Sequence, residues 1–265
     1  MSIVMLVGGT SENGNVQHRY LVSRFLEHFG DKVSCIVTAR PEKRPLHQRL
    51  KRMIKRGNYA ERFARARYPG GYGPAEQDLQ ALLLPGETVA RMPGDERCVV
   101  VDSHNGMQCE SLLDKHKPQI IAVYGTGIIR ENIFSRATCM TMNMHTGLSP
   151  YYRGDSTLFW PVYYDDAEHL GVTVHELVAC VDGGDIAATA PVVYEPGDTE
   201  ANLFAKGVIA GTASYIESVQ AALDGTLVCK KQDLSQGREF RWMHRTVAAE
   251  RQVQVQLQRW ASTSS

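Results

Sequence analysis

The sequence has no excess of one charge, because its 265 residues include 29 Lys and Arg against 29 Asp and Glu. A general attraction to nucleic acid or to an anionic membrane is therefore not expected. No apolar run comes near the roughly 18 residues that a membrane-spanning helix needs. The N-terminal stretch MSIVMLVGG has no basic leader and no small-residue cleavage site, so it is interpreted as a strand and not as a signal peptide. We predict a cytoplasmic protein without a membrane or nucleic-acid partner.

Motifs that bind metals or dinucleotides are also missing. The six cysteines are scattered through apolar stretches without Cys-x-x-Cys spacing, which favours reduced, buried thiols over disulfides or a zinc site. The loop GGTSENGN, residues 8–15, follows a predicted strand but does not have the Gly-x-Gly-x-x-Gly order that holds a dinucleotide pyrophosphate. We therefore do not expect NAD binding, and we interpret this loop as part of the substrate side of a site.

What the chain does contain is a series of short apolar runs rich in β-branched residues. These runs are SIVMLVGG, KVSCIVTAR, RCVVVD, QIIAVYG, CMTMNMH and GVTVHELVA. Amphipathic segments such as HRYLVSRFLEHFG separate them, and this alternation is typical of a parallel sheet covered by helices. We predict an α/β fold, with a Rossmann-like, mostly parallel sheet, helices on both of its faces and a short C-terminal appendage.

The last long helix sets the expected domain boundary. Asp198 or Thr199 can cap the start of this helix, and Gly225 can end it. We therefore predict one domain over residues 1–225 and a short appendage over residues 226–265.

An insert of about residues 41–97 is expected within this domain. Residues 40–67 hold eleven Lys or Arg against two Glu. This basic stretch is either a solvated helix face or an anion-binding surface, and the sequence leaves both interpretations open. The length of the insert fits a lid or a specificity element.

Polar side chains end a predicted strand where core packing would favour Val or Ile. Asn143 and His145 are two residues apart, so both point to one face of the strand, at the carboxyl end where open α/β sheets bind ligands. Asp182 follows a second predicted strand in a glycine-rich turn. A carboxylate beside an imidazole favours the charged ring and can hold a water. An amide, an imidazole and a carboxylate together suit acyl transfer.

Four ordered motifs lie within about 45 residues: Asn143-Met-His145, Pro150-Tyr-Tyr-Arg-Gly154, Gly171-Val-Thr-Val-His175 and Asp182-Gly-Gly-Asp-Ile186. Together they resemble the pattern of the folate-dependent formyltransferases, which include the glycinamide ribonucleotide, methionyl-tRNA and sugar-amine formyltransferases. Four motifs in order are far more specific than any one of them alone. The similarity runs from about residue 118 to about residue 225.

The resemblance implies a direct attack of an amine on the formyl carbon of 10-formyltetrahydrofolate. Asn143 and a charged His145 would donate hydrogen bonds to the oxyanion, and Asp182 would keep His145 charged and relay the proton of the amine. This chemistry needs no metal and no nucleophilic Ser or Cys.

The resemblance also implies which residues bind the two substrates. The expected folate-binding residues are Tyr124, Gly127, Ile128, Ile129, Val178, Cys180 and Val181. The expected acceptor-binding residues are Tyr151, Tyr152, Arg153 and Asp155. His175 is expected to support the site without reacting, and Trp160 is expected to be a core residue beneath it.

The acceptor that we predict is a small-molecule amine, above all a nucleotide-linked amino sugar whose diphosphate could meet the basic insert. A transfer RNA is not expected, because a large basic C-terminal domain is missing from the sequence. A phosphoribosylglycinamide formyltransferase and a non-catalytic binding module on the same fold are the alternatives. The oligomeric state stays open, with a homodimer among the options.

Overall fold

The computed structural model describes residues 2–9, 13–41, 59–68, 73–87 and 91–263. Its strands in chain order are β1 (Ile3–Val7), β2 (Val33–Ala39), β3 (Cys98–Val101), β4 (Ile120–Tyr124), β5 (Met140–His145), β6 (Tyr152–Gly154), β7 (Gly171–Glu176), β8 (Ile186–Pro191) and β9 (Arg238–Phe240). Its α-helices are α1 (Val16–Phe29), α2 (Tyr59–Arg67), α3 (Glu76–Leu83), α4 (Met107–His116), α5 (Glu131–Phe134), α6 (Phe159–Tyr163), α7 (Glu200–Leu223) and α8 (Val247–Thr263). Across these ranges, no helix is long and apolar enough to cross a membrane.

Residues 42–58, which carry most of the basic stretch, lie outside the described residues. Both interpretations of that stretch, as a solvated face or as an anion-binding surface, therefore stay predictions.

Seven of the strands form one sheet in the order β3-β2-β1-β4-β5-β7-β8. The pairs from β3 across to β5 are parallel, whereas β7 is antiparallel to both β5 and β8. The chain runs outward from β1 through β2 to β3 and then restarts on the other side of β1 at β4, so the strand order reverses between β1 and β4. The predicted mostly parallel α/β sheet is confirmed.

Helices cover both faces of this sheet, because successive side chains of a buried strand point to opposite faces. On one face Ala122 of β4 belongs to a cluster with Phe25 of α1. On the other face Val123 of β4 belongs to a cluster with Leu113 of α4. Burial on both faces explains why β1 and β4 are continuous apolar runs with no polar positions.

The helix α7 packs against the centre of the sheet and is hydrogen-bonded to two of its strands. Its N-cap is Thr199, whose hydroxyl accepts a hydrogen bond of 3.3 Å from the N–H of Asn202, so the predicted cap is present. Tyr215 of this helix is fully buried. Its hydroxyl accepts from the N–H of Val123 at 2.8 Å and donates to the carbonyl of Met142 at 2.6 Å. One side chain therefore links β4 and β5, the two strands that lead to the predicted site.

Residues after 225 pack closely on the rest of the fold. Backbone groups of Lys230 and Ile186 exchange two hydrogen bonds of 2.7 and 2.8 Å, β9 pairs in parallel with β6, and α8 shares an apolar cluster with α6. The buried guanidinium of Arg245 is 2.8 Å from the carboxylate of Glu200 and 2.8 Å from that of Glu250. The predicted appendage thus adds a strand beside β6 and a helix beside α6.

We predict that Tyr215→Phe lowers the free energy of unfolding by about 1–3 kcal/mol, because the N–H of Val123 and the carbonyl of Met142 lose a buried partner. Urea unfolding measures this change. The matched control is Tyr163→Phe, since the half-buried Tyr163 makes no hydrogen bond through its hydroxyl within the described ranges. Equal losses of stability in the two variants would contradict the prediction.

Candidate active site

The carboxylate of Asp182 lies between two imidazoles. Its Oδ2 atom is 3.4 Å from Nδ1 of His145, and its Oδ1 atom is 3.4 Å from Nε2 of His175. The backbone N–H of Gly154 donates a hydrogen bond of 2.7 Å to Oδ2. Both oxygens of the carboxylate are therefore held in place, and the predicted approach of Asp182 to His145 is present in the structure.

His145 is buried, and both of its ring nitrogens face acceptors. Nε2 is 3.0 Å from the backbone carbonyl of Tyr152, so this nitrogen must donate. Nδ1 faces Asp182, and a doubly protonated ring satisfies both acceptors. His145 does not line the main cavity. The structure therefore makes His145 a partner of Asp182, and the predicted contact of His145 with an oxyanion stays a prediction.

Asn143 faces His175 across the antiparallel pair of β5 and β7, where the two residues are directly opposite. Nδ1 of His175 is 2.7 Å from the carbonyl of Glu176, which requires that nitrogen to donate. Nε2 of His175 lies 3.2 Å from Nδ2 of Asn143 and 3.4 Å from Oδ1 of Asp182, so this nitrogen lies between the amide and the carboxylate. The Asn143 amide has a second N–H and lines the main cavity, so it can donate to a bound carbonyl.

The charges around Asp182 decide its ionisation. Burial of the Asp182 carboxyl alone would raise its pKa. The imidazole of His145, the hydrogen bond from His175 and the N–H of Gly154 outweigh burial and hold the pKa of this carboxyl well below its usual range. Asp182 is therefore ionised at neutral pH. Within the described ranges, no group of His, Cys, Asp and Glu side chains is arranged to hold a metal ion.

A cavity of about 710 Å³ opens in front of Asn143, His175 and Asp182. Six of the predicted folate-binding residues line it: Gly127, Ile128, Ile129, Val178, Cys180 and Val181. They come from the loop after β4 and from the segment after β7, both at the end of the sheet where the polar side chains converge. The six residues therefore line one cavity, and their role in folate binding stays a prediction.

Tyr124 does not line this cavity and is a correction to the predicted folate-binding set. It is the last residue of β4, and its side chain is buried on the face covered by α1. Its ring lies 5.3 Å from that of His18. The alternation along β4 turns Tyr124 toward α1 and its neighbour Val123 toward the cavity.

Three of the four predicted acceptor-binding residues also do not line the cavity. The ring of Tyr151 lies 4.0 Å from that of His169, and the hydroxyl of Tyr152 donates to Asp166 at 2.7 Å. Arg153 is half-buried and does not line the cavity. Pairing of β6 with β9 fixes this stretch as a strand, so its side chains pack on the protein. Asp155, just beyond β6, does line the cavity.

The sequence did not indicate the wall formed by residues 239–243. Glu239, Phe240, Arg241, Trp242 and Met243 all line the cavity. No motif marks this stretch, and the pairing of β9 with β6 helps to bring it to the site. Trp242 is 44% exposed, an unusual position for a large aromatic side chain, and it lines the cavity.

The glycine-rich loop before α1 ends at a helix N-terminus, a position that favours an anion. A carboxylate of the protein occupies it: Oε1 of Glu76 accepts from the N–H of Val16 at 2.7 Å, and Oε2 accepts from Nδ2 of Asn15 at 3.0 Å. Residues 10–12 lie outside the described residues. The interpretation of the loop of residues 8–15 as part of the substrate side stays a prediction.

Comparison with known proteins identifies the family of this chain. Residues 1–219 match the family model described as formyl transferase. Because the match covers most of the chain, the chain belongs to the formyl transferase family. The resemblance found in the motifs is confirmed.

Individual relatives share parts of the chain or its fold. A methionyl-tRNA formyltransferase of Desulfotalea psychrophila is 31% identical over 128 residues, which are 48% of this chain and only 39% of that protein. An N-formyltransferase of Helicobacter canadensis, solved with folinic acid and dTDP-3-aminofucose, has a TM-score of 0.57 at 15% identity over 97% of this chain and 80% of its own. A phosphoribosylglycinamide formyltransferase of Anaplasma phagocytophilum has a TM-score of 0.53 at 17% identity over 91% of this chain and 99% of its own. The two solved structures show a shared fold.

We predict that Asp182→Asn removes a pH-dependent part of the stability. The pKa of this carboxyl is lower in the folded protein than in the unfolded chain, so its contribution is present above about pH 4 and is lost as the pH falls below it. In urea unfolding, the wild type should exceed Asp182→Asn in stability at about pH 7, and this difference should shrink toward about pH 3.

The control is Asp155→Asn, because the exposed carboxylate of Asp155 makes no hydrogen bond or ion pair within the described ranges. Its stability should follow that of the wild type at both pH values. A difference between wild type and Asp182→Asn that is constant with pH would contradict the prediction.

Proposed function

We propose that this chain transfers a formyl group from 10-formyltetrahydrofolate to the amine of a small molecule, with a nucleotide-linked amino sugar as the first acceptor to test. The observation that supports the proposal best is the convergence of the Asn143 amide and the ionised Asp182 carboxylate on one cavity. A hydrogen-bond donor for a developing oxyanion and an acceptor for the proton of an amine are what this acyl transfer requires.

The apolar end of the cavity suits the folate. The residues around Ile128, Ile129 and Val178–Val181 combine apolar side chains with backbone groups at a loop, which is how proteins bind flat heterocycles. A volume of about 710 Å³ is ample for a drug-sized ligand. When bound there, 10-formyltetrahydrofolate supplies the formyl group. The bond between the formyl carbon and the acceptor amine forms, the bond between that carbon and N10 breaks, and tetrahydrofolate leaves with a proton on N10 that balances the proton lost by the amine.

The side chains of the protein then have distinct tasks. Asn143 donates a hydrogen bond to the carbonyl oxygen as it gains negative charge, and His175 holds the Asn143 amide in orientation. Asp182 accepts a hydrogen bond from the attacking amine, or from a water molecule that removes the proton of the amine. His145 supplies positive charge behind Asp182.

The acceptor has the other end of the cavity, formed by Gly154, Asp155 and residues 239–243. The flat ring of Trp242 can cover the C–H face of a sugar. The carboxylates of Asp155 and Glu239 can accept hydrogen bonds from hydroxyl groups. These groups support a hydroxylated ring as acceptor; a contact between its diphosphate and the basic stretch stays a prediction.

A phosphoribosylglycinamide acceptor is less favoured by the structure. The loop of residues 8–15 is the predicted substrate side of the site, and the helix N-terminus that follows it is where a phosphate would be expected to bind. Here the carboxylate of Glu76 already occupies the anion position at the start of α1, and it would repel a phosphate.

The proposal is tested by incubating the protein with 10-formyltetrahydrofolate and a panel of nucleotide amino sugars and other small amines, with formylated mass as the readout. We expect turnover with an amino sugar, and an about 10²- to 10³-fold slower rate for Asn143→Ala. The exposed Asn132→Ala on α5 serves as the control and should keep the wild-type rate.

Three other results would overturn all or part of the proposal. Formylation of glycinamide ribonucleotide alone would replace the acceptor. Folate binding without transfer to any amine would identify a binding module. No binding of formyl-folate would remove the donor.

Trp242 gives a separate prediction for the acceptor end. Trp242→Ala should raise the KM for the acceptor about 10-fold and leave the KM for formyl-folate unchanged, whereas Trp242→Phe should keep most of the affinity because it retains a flat ring. The control is Met107→Ala, an 82% exposed apolar residue on α4. A rise in the KM for formyl-folate instead would assign Trp242 to the folate end.

A further inference from the structure

The turn that carries Asp182 is held in an uncommon conformation. Asp182 has a φ of +46°, in the left-handed region that few residues other than Gly adopt without cost. Gly184 packs so closely that an added Cβ would lie 1.9 Å from the carbonyl oxygen of Glu176. A turn of this kind persists only where surrounding contacts fix it.

Gln232, from the segment after α7, supplies such a contact. Its Nε2 atom donates to the backbone carbonyl of Asp182 at 2.9 Å and to that of Gly184 at 2.5 Å. Because both neighbours are carbonyl oxygens, the nitrogen and not the oxygen of the amide must face them. Oε1 of Gln232 is buried and has no partner within the described ranges, an unfavourable placement that the two donated bonds must offset.

The same segment reaches the carboxylate of Asp182 from a second side. In the register of β6 and β9, Gly154 lies opposite Phe240, and the N–H of Asp155 donates to the carbonyl of Phe240 at 2.9 Å. This pairing fixes the backbone of Gly154, whose N–H donates to the Asp182 carboxylate. The segment therefore contacts the backbone of the turn directly and its carboxylate through β6.

We infer that Gln232 is a positioning residue for Asp182, and that the segment after residue 225 is an integral part of the active site. Gln232 braces the turn through its carbonyls, which keeps the carboxylate between His145 and His175. Gln232 lies outside the four motifs of the family pattern and does not line the cavity, so it acts only through the turn. The catalytic part of this inference rests on the proposed function.

The experiment replaces the Gln232 amide by apolar groups of similar size, in Gln232→Met and Gln232→Leu. We expect kcat to fall about 10- to 100-fold with the KM for formyl-folate unchanged, because a catalytic group displaced by a fraction of an ångström loses most of its effect while the folate walls stay intact. Two variants are used so that an effect caused by poor packing of one new side chain can be recognised by comparison with the other. The matched control is Gln252→Met on the exposed face of α8, which should behave as the wild type.

A second measurement does not depend on transfer activity. The Asp182 carboxyl is titrated by NMR in the wild type and in both Gln232 variants, with urea midpoints to show that each is folded. A carboxylate released from its partners should titrate at a higher pH than in the wild type. Wild-type titration of Asp182 in folded Gln232 variants would overturn the inference, whereas an upward shift in a protein that formylates no amine would uphold the positioning and sink only the proposed function.

Discussion

A buried negative charge is the constraint on which the site depends. Asp182 is only 13% exposed through its side chain, and a charge placed there is tolerated only with close partners and hydrogen bonds. His145, His175 and the N–H of Gly154 provide them. Each of these partners comes from a different strand, so the charge is stabilised only when β5, β6 and β7 are all in place.

The sheet topology explains how these elements meet. Because β7 is antiparallel to β5, the start of β7 lies beside the end of β5, and its own end lies deeper in the sheet, where His175 is opposite Asn143. The connection from β7 to β8 then brings Asp182 back over the pair. A parallel strand in this position would have placed its last residue level with His145, and the Asn143 amide would have had no imidazole to orient it.

The sequence predicted the sheet, its mostly parallel character and the two apolar walls of the cavity, because these follow from local patterns. The alternation of apolar runs and the motifs around Asn143 and Asp182 can be recognised in short contiguous segments of the sequence. Residues such as Tyr124 were wrongly predicted to line the cavity because the local sequence does not reveal which face of a strand a side chain takes. Tyr124 and its neighbour Val123 lie on opposite faces of β4. The wall at residues 239–243 depends on a pairing between strands that lie more than 80 residues apart in the sequence, and no local signal reports such a pairing.

The low pKa of Asp182 also constrains how a proton can leave the site. A carboxylate that is strongly stabilised in its ionised form is a weak base, so it is poorly suited to keep a proton taken from an amine. The same carboxylate is well suited to hold a charged His145 and to orient a water or an amine by hydrogen bonding. In the proposed reaction, the proton of the amine would pass to water in the cavity, which Asp182 lines. In the proposed reaction, the charge of Asp182 would therefore align the amine, and water would carry its proton away.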